Sequence, residues 1–189
     1  MTIFEYVIAT LLWVAGLAIT RLLGDAADTF RTRHLIKLHW IPLAWVGLVF
    51  VWQMQFLWAV FELGQLIKVW SVFRFGILIL MAILLFVAGA LVVPRTTDDQ
   101  GANAWEQFLG DGRWALVFLA GFFLLAFLSN PILFDIPLWE TDNLLDLVLC
   151  VILLAVQFTH RKAVWAGATV LFAGISTVAL ILLTPVAYQ

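Results

Sequence analysis

The chain has 189 residues, 65% of them hydrophobic and 12% charged, with a mean hydropathy of +1.08. A soluble domain is about half apolar and roughly a quarter charged, so this composition excludes an ordinary soluble fold. The net charge of −2, with no basic patch, argues against nucleic-acid binding, and the single Cys150 excludes an internal disulfide or a cysteine-cluster metal site.

The apolar residues come in runs long enough to cross a bilayer, about 20 residues each. Only helices and closed barrels satisfy the backbone in lipid, and barrel strands alternate apolar with polar. Runs such as "FGILILMAILLFVAGALVV" do not alternate. The expected fold is therefore an all-α membrane protein, a single domain over residues 1–189 made of about six transmembrane helices.

The N-terminal "MTIFEY" has no basic region and no small-residue cleavage site, so the first apolar run, 3–23, is expected to stay as a helix. It should run on past the membrane to about Arg33, with Arg21/Asp25 and Asp28/Arg31 at helical spacing for ion pairs. A second span is read at 40–63 and a third at 72–93, the latter ended by Pro94. The polar connection 95–113 follows, with a short helix expected at "AWEQFL". The fourth span, 113–130, should close at "SNP" (129–131). The next loop, "SNPILFDIPLWETDN", is too apolar to sit free in water and should lie in the interface or dip into the bundle. The fifth and sixth spans are read at 143–160 and 163–185, with Pro185 at the end of the last.

Eight of the ten basic residues fall in the first, third and fifth connections, and only Lys68 and Arg74 fall in the second. The positive-inside rule then makes the eight-residue side cytoplasmic and places both termini outside. Glu5, Glu62, Asp135, Glu140, Asp142 and Asp146 make the outer side acidic. "VWQMQF" in the second span and "LLAVQF" in the fifth hint at a 3+3 inverted repeat, an arrangement common in transporters.

Two spans carry polar stripes. At 100° per residue, Gln55, Trp58, Glu62 and Gln65 fall within an arc about 80° wide, with Gln53 nearly opposite. Asp146, Cys150, Leu153, Gln157 and His160 fall on one narrow face of the fifth span. A charge at mid-bilayer costs at least about 2.5 kcal/mol, so both stripes should face protein or water. The functional reading is a hydrated path lined by Gln55, Glu62, Asp146, Cys150 and Gln157, with His160 at its inner mouth, where histidine's near-neutral titration suits a proton relay. The plainer reading is interhelical glue, in which amides hydrogen-bond across helices for about 1 kcal/mol.

Neither His39 nor His160 has a histidine one helical turn away, so no specific metal spacing exists and no metal or other cofactor is expected. Of ten tryptophans, Trp40, Trp105, Trp114 and Trp165 fit the inner interface and Trp70 and Trp139 the outer one. Trp13 and Trp52 fall near the membrane centre, where they line a ligand cavity or constriction or pack against a neighbouring helix. Gly167, Ala173, Gly174, Ser176 and Thr177 offer small faces for close helix contact. No H-E-x-x-H, G-x-S-x-G or phosphate loop is present, and no catalytic residue is named.

"LHWIPLAWVGLVFVWQMQFLWAVFE" (38–62), followed by "LLFVAGALVVP" (84–94), resembles small, uncharacterised integral inner-membrane proteins of bacteria. The resemblance covers about the first half of the chain. It implies a bacterial inner-membrane location and carries no chemistry to any residue.

The function expected is a channel or transporter subunit for protons, ions or a small solute, working among membrane lipids as a homo-oligomer. The alternative is a binding or assembly module for a membrane protein partner or a lipid. An enzyme acting on lipid at the outer face ranks third, because no nucleophile–base pair can be named.

Overall fold

The computed structural model describes residues 3–67, 70–94, 102–135 and 137–183. Helix α1 is Ile3–Arg31, α2 Trp40–Leu66, α3 Val72–Val92, α4 Ala104–Gln107, α5 Arg113–Phe134, α6 Thr141–Ala155 and α7 Lys162–Leu183. A π-helical turn, Phe108–Gly112, joins α4 to α5, so 104–134 is one continuous span, and a 3₁₀ turn, Val156–Phe158, finishes α6. Five spans are long and apolar enough to cross a bilayer: α1, α2, α3, the α4–α5 unit and α7. With its 3₁₀ turn, α6 is a shorter apolar helix over 143–158. The architecture is that of a multi-pass helical membrane protein.

Three helix starts, those of α2, α3 and α4, carry a side-chain cap. The first amides of a helix have no partner within it and need an acceptor from outside. His39 Nδ1 accepts from the Ile41 amide at 3.3 Å, Ser71 Oγ from the Arg74 amide at 3.2 Å, and Asn103 Oδ1 from the Trp105 amide at 3.1 Å. Just before α2 and α4, strands β1 (Ile36–Lys37) and β2 (Ala102–Asn103) pair in parallel, which ties the two connections together.

Helix α3 is central and packs on α1, α2 and α5. Lipid tails are as apolar as leucine, so close packing rather than hydrophobic transfer holds such helices together. Small buried residues permit the approach: Ala15 and Ala18 on α1, Ala82, Ala88 and Gly89 on α3, and Ala115, Ala120 and Ala126 on α5. Helix α6 packs on α5, while α7 packs on α6 and α2.

The expected spans agree with these helices to within a few residues, with one correction. "SNP" does not close the fourth span, because α5 continues through Pro131 to Phe134. Pro131 stands in the last turn, where its missing N–H forfeits only the bond to the Phe127 carbonyl, and the Ser129 hydroxyl donates to the neighbouring Ala126 carbonyl at 3.3 Å. The helix stops at Asp135, which adopts φ 58 in the left-handed region that ends many helices. The described residues of the following loop, Asp135 and 137–140, are exposed, Trp139 at 79%, which leaves the interface of the two places expected for it.

Both ion pairs expected on the first helix form, Arg21 Nε–Asp25 Oδ2 at 2.8 Å and Arg31 Nη1–Asp28 Oδ1 at 3.4 Å. They are solvent-exposed and contribute little to stability. Lys68, Arg95 and Pro185, and the side chains of Glu62, Gln65 and Asp142, lie outside the described residues.

Candidate functional site

A cavity of about 170 Å³ lies among α2, α3, α5 and α6. Its walls are apolar, chiefly Phe56, Val60, Leu78, Met81 and Phe122, and its polar groups are Gln55 from α2, Asn130 from α5 and Asp146 from α6. Gln55 and Asp146, assigned to separate stripes by helical spacing, thus border one space.

The acidic end is held by a small network. Asn130 Nδ2 donates to Asn143 Oδ1 at 2.9 Å and to Asp146 Oδ2 at 3.3 Å. Asn143 is fully buried, and its own amide donates to the Leu138 carbonyl at 3.1 Å. Asn143 and Asp146 are three residues apart on α6, and Asn130 reaches both because α5 continues past the expected stop. Proline at 131 therefore does not remove Asn130 from the helix; it leaves that side chain one turn from the end, facing α6.

At the opposite end the cavity meets aromatic rings. Trp52 and Phe122 are part of its wall. Trp52 meets Phe123 edge-on at 4.7 Å, Phe123 meets Phe172 at 5.9 Å, and Phe172 meets Trp45 at 5.0 Å. The Trp52 indole nitrogen also donates to Ser176 Oγ on α7 at 3.2 Å, fixing the ring between two helices. Trp45, Phe123 and Phe172 are fully buried. A second cluster continues toward the His39 and His160 end, with Trp165 edge-on to Trp105 at 6.1 Å and to Phe108 at 5.2 Å. Edge-to-face packing of this kind is favourable by about 1 kcal/mol per pair beyond area burial.

The remaining stripe residues sit elsewhere. Cys150 is buried in the packed core. Gln157 donates its amide to the Arg113 carbonyl and to the Leu153 carbonyl, both at 3.3 Å, and so ties α6 to the start of α5. His160 is exposed beyond the 3₁₀ turn. Glu62 belongs to α2, but its side chain is outside the described residues. Of the two mid-span tryptophans, Trp52 walls the cavity and Trp13 is 75% exposed on the outside of α1.

Gln53 points away from the cavity, into the α1–α2–α3 contact, where its Nε2 donates to the Leu85 carbonyl at 3.1 Å. Its Oε1 is buried there with no hydrogen-bond partner. His39 caps α2 and stacks against Trp105 at 5.2 Å. Among the described residues, no three His, Cys, Asp or Glu side chains form a group able to hold a metal ion.

Sequence reasoning missed Asn130 and Asn143. The signal for Asn143 was its i,i+3 spacing to Asp146; for Asn130 the adjacent proline masked it. The chain matches no protein-family model, no curated protein and no solved structure.

Proposed function

We propose that the protein is a carrier for a small solute, with the Gln55–Asn130–Asp146 cavity as its substrate site. The solute has an apolar body and a hydrogen-bond-donating or cationic group. The observation that carries this reading is the convergence of an acid and two amides from three helices on one otherwise apolar cavity. Pockets of that make-up, apolar with a few convergent polar groups, are the usual form of a small-molecule site. An acid facing such a cavity favours a cationic or donating group, because the low local dielectric strengthens the attraction.

A carrier is preferred to an open channel because of the aromatic rings. From Gln55 to Trp45 is ten residues of α2, about 15 Å along the axis, and that stretch is packed with Trp52, Phe123, Phe172 and Trp45. A site sealed on one side by packed rings fits a resting form of an alternating-access transporter. The distribution of lysines and arginines supports a cytoplasmic location for the sealed side, and a bacterial inner membrane is the setting that the sequence resemblance suggests.

The test is uptake into proteoliposomes of a small amine such as butylammonium, comparing wild type with Asp146→Asn. Saturable uptake that falls about tenfold or more in the variant, the loss of roughly 1.4 kcal/mol of binding, supports the carrier. Uptake indifferent to Asp146 overturns it.

A second reading, self-association, has its own support in α7. Ser176 is turned inward to Trp52, whereas Gly167 and Gly174 face open space on the side where a Cβ would stand. Small residues left open on a lipid-facing helix favour a close helix contact. Gly174→Leu should then lower the apparent mass in detergent, and an unchanged mass rejects this contact.

A further inference from the structure

Gln55 borders two spaces. One is the cavity it shares with Asn130 and Asp146. The other is an open cleft of about 420 Å³ on the side of the bundle, between Phe50, Val51, Met54 and Trp58 of α2 and Leu180 of α7. The two spaces lie on either side of one side chain.

The cleft faces outward. Val51 is 39% exposed, Met54 43% and Trp58 39%. These residues occupy the middle of a helix that runs Trp40–Leu66, so the surrounding solvent is hydrocarbon rather than water. What enters a lateral opening at that depth must itself dissolve in the bilayer.

We infer that the α2–α7 cleft is the lateral entrance to the cavity, and that the solute is a single-chain amphiphile with an amine head. This rests on the carrier reading above. The head lies against Asp146 and Asn130, and the alkyl chain passes Gln55 and lies in the cleft. Size argues for the division. Sites that enclose a drug-sized ligand are about 300–1,000 Å³, and the cavity has about 170 Å³. It holds a head and a short apolar stem, and a longer chain must remain in the cleft. The polarity of the two spaces runs the same way: the acid and the amides are in the cavity, and among the described residues of the cleft the polar groups are the Gln55 amide and the Trp58 indole N–H. Gln55 is therefore a positioning residue at the threshold, and a change in its side-chain rotamer widens the passage.

The test uses the whole protein in lipid nanodiscs with spin-labelled dodecylammonium as the probe, its arrival read by stopped-flow quenching of tryptophan fluorescence. Two variants narrow the cleft from opposite walls without touching the cavity, Val51→Phe on α2 and Leu180→Phe on α7. Both sites face outward or lie at the rim, and the thermal transition of each variant checks folding. A narrowed cleft slows passage and crowds the bound chain, so the association rate of dodecylammonium should fall about tenfold, while the equilibrium affinity for butylammonium, whose short chain stays within the cavity, stays within about twofold. Rates unchanged in both folded variants overturn the entrance. Binding of butylammonium but not of dodecylammonium by the wild type also overturns it, and leaves the carrier site standing. Binding of neither amine removes the carrier reading and the entrance together.

Discussion

The amide nitrogen of Gln53 lies 2.5 Å from the point where a Cβ on Gly89 would stand. The two residues are fitted to each other at the contact of α2 with α3, with Leu22 of α1 closing the third side. The same nitrogen donates to the Leu85 carbonyl, one turn earlier on α3. Gly89→Ala must therefore displace the Gln53 amide or part the helices, and the loss should be about 1–2 kcal/mol. Gln53→Leu should cost less, because it removes a buried oxygen without a partner along with the bond. The double variant should be more stable than the sum of the two predicts, since a leucine ends short of the added methyl. Thermal unfolding of the four proteins in one detergent checks this, and strict additivity refutes the fit.

Asn143 is the hinge of the acidic end. It accepts from Asn130 and donates to the Leu138 carbonyl, so one side chain holds α5, the 135–140 loop and α6 together. Asn143→Leu keeps a branched side chain and removes both bonds, while half-buried Asn130 retains its bond to Asp146, so the cost should be about 1–2 kcal/mol. Hydrogen exchange at 137–140 should rise at the same time, because the loop loses its anchor. If exchange there is unchanged while stability falls, the loop is held by other contacts.

The sequence made the helices legible because lipid imposes a strict rule. Every backbone group in a span must be satisfied internally, so a long apolar run has one outcome. The stop of α5 was not legible. Proline is read as an end, yet its effect depends on how many bonds remain beyond it, and at Pro131 less than one turn remained. The stripes were legible as faces, through the 100° period, but a face does not say what it meets. Gln55 and Asp146 meet at a cavity, whereas Gln157, on the same face as Asp146, meets the Arg113 backbone. That difference comes from where α5 begins relative to α6, a tertiary distance absent from either helix's own period.

The Gln157–His160 half of the α6 stripe should therefore separate from the Asp146 half in experiment. Gln157→Leu removes the bond to the Arg113 carbonyl and should cost about 1 kcal/mol of stability, in line with interhelical hydrogen bonds in membranes. His160→Ala, at an exposed position, should leave stability within about 0.5 kcal/mol. On the carrier reading neither change alters the affinity for an amine, because neither residue lines the cavity. An affinity loss in His160→Ala comparable to that in Asp146→Asn would restore the continuous path from Asp146 to His160.

Trp52 joins the cavity to its seal. The ring is part of the cavity wall, stands edge-on to Phe123, and is held by its nitrogen to Ser176 at 3.2 Å. Two substitutions separate these roles. Trp52→Phe keeps a ring and gives up the bond, so stability should fall by about 1 kcal/mol for the bond, plus a packing loss from the smaller ring. Ser176→Ala in that background should then cost little more, whereas alone it strands a buried indole N–H. Trp52→Ala removes the ring itself and should cost about 3–5 kcal/mol if the space does not collapse. It should also merge the cavity with the space around Phe123 and Phe172, which makes the protein leaky to small ions where the wild type is tight. Proteoliposomes loaded with a pH-sensitive dye read that leak directly. A folded Trp52→Ala protein as tight as the wild type places the seal deeper, at Trp45 and the Trp105–Trp165 cluster, and Trp45→Ala is then the variant that should leak.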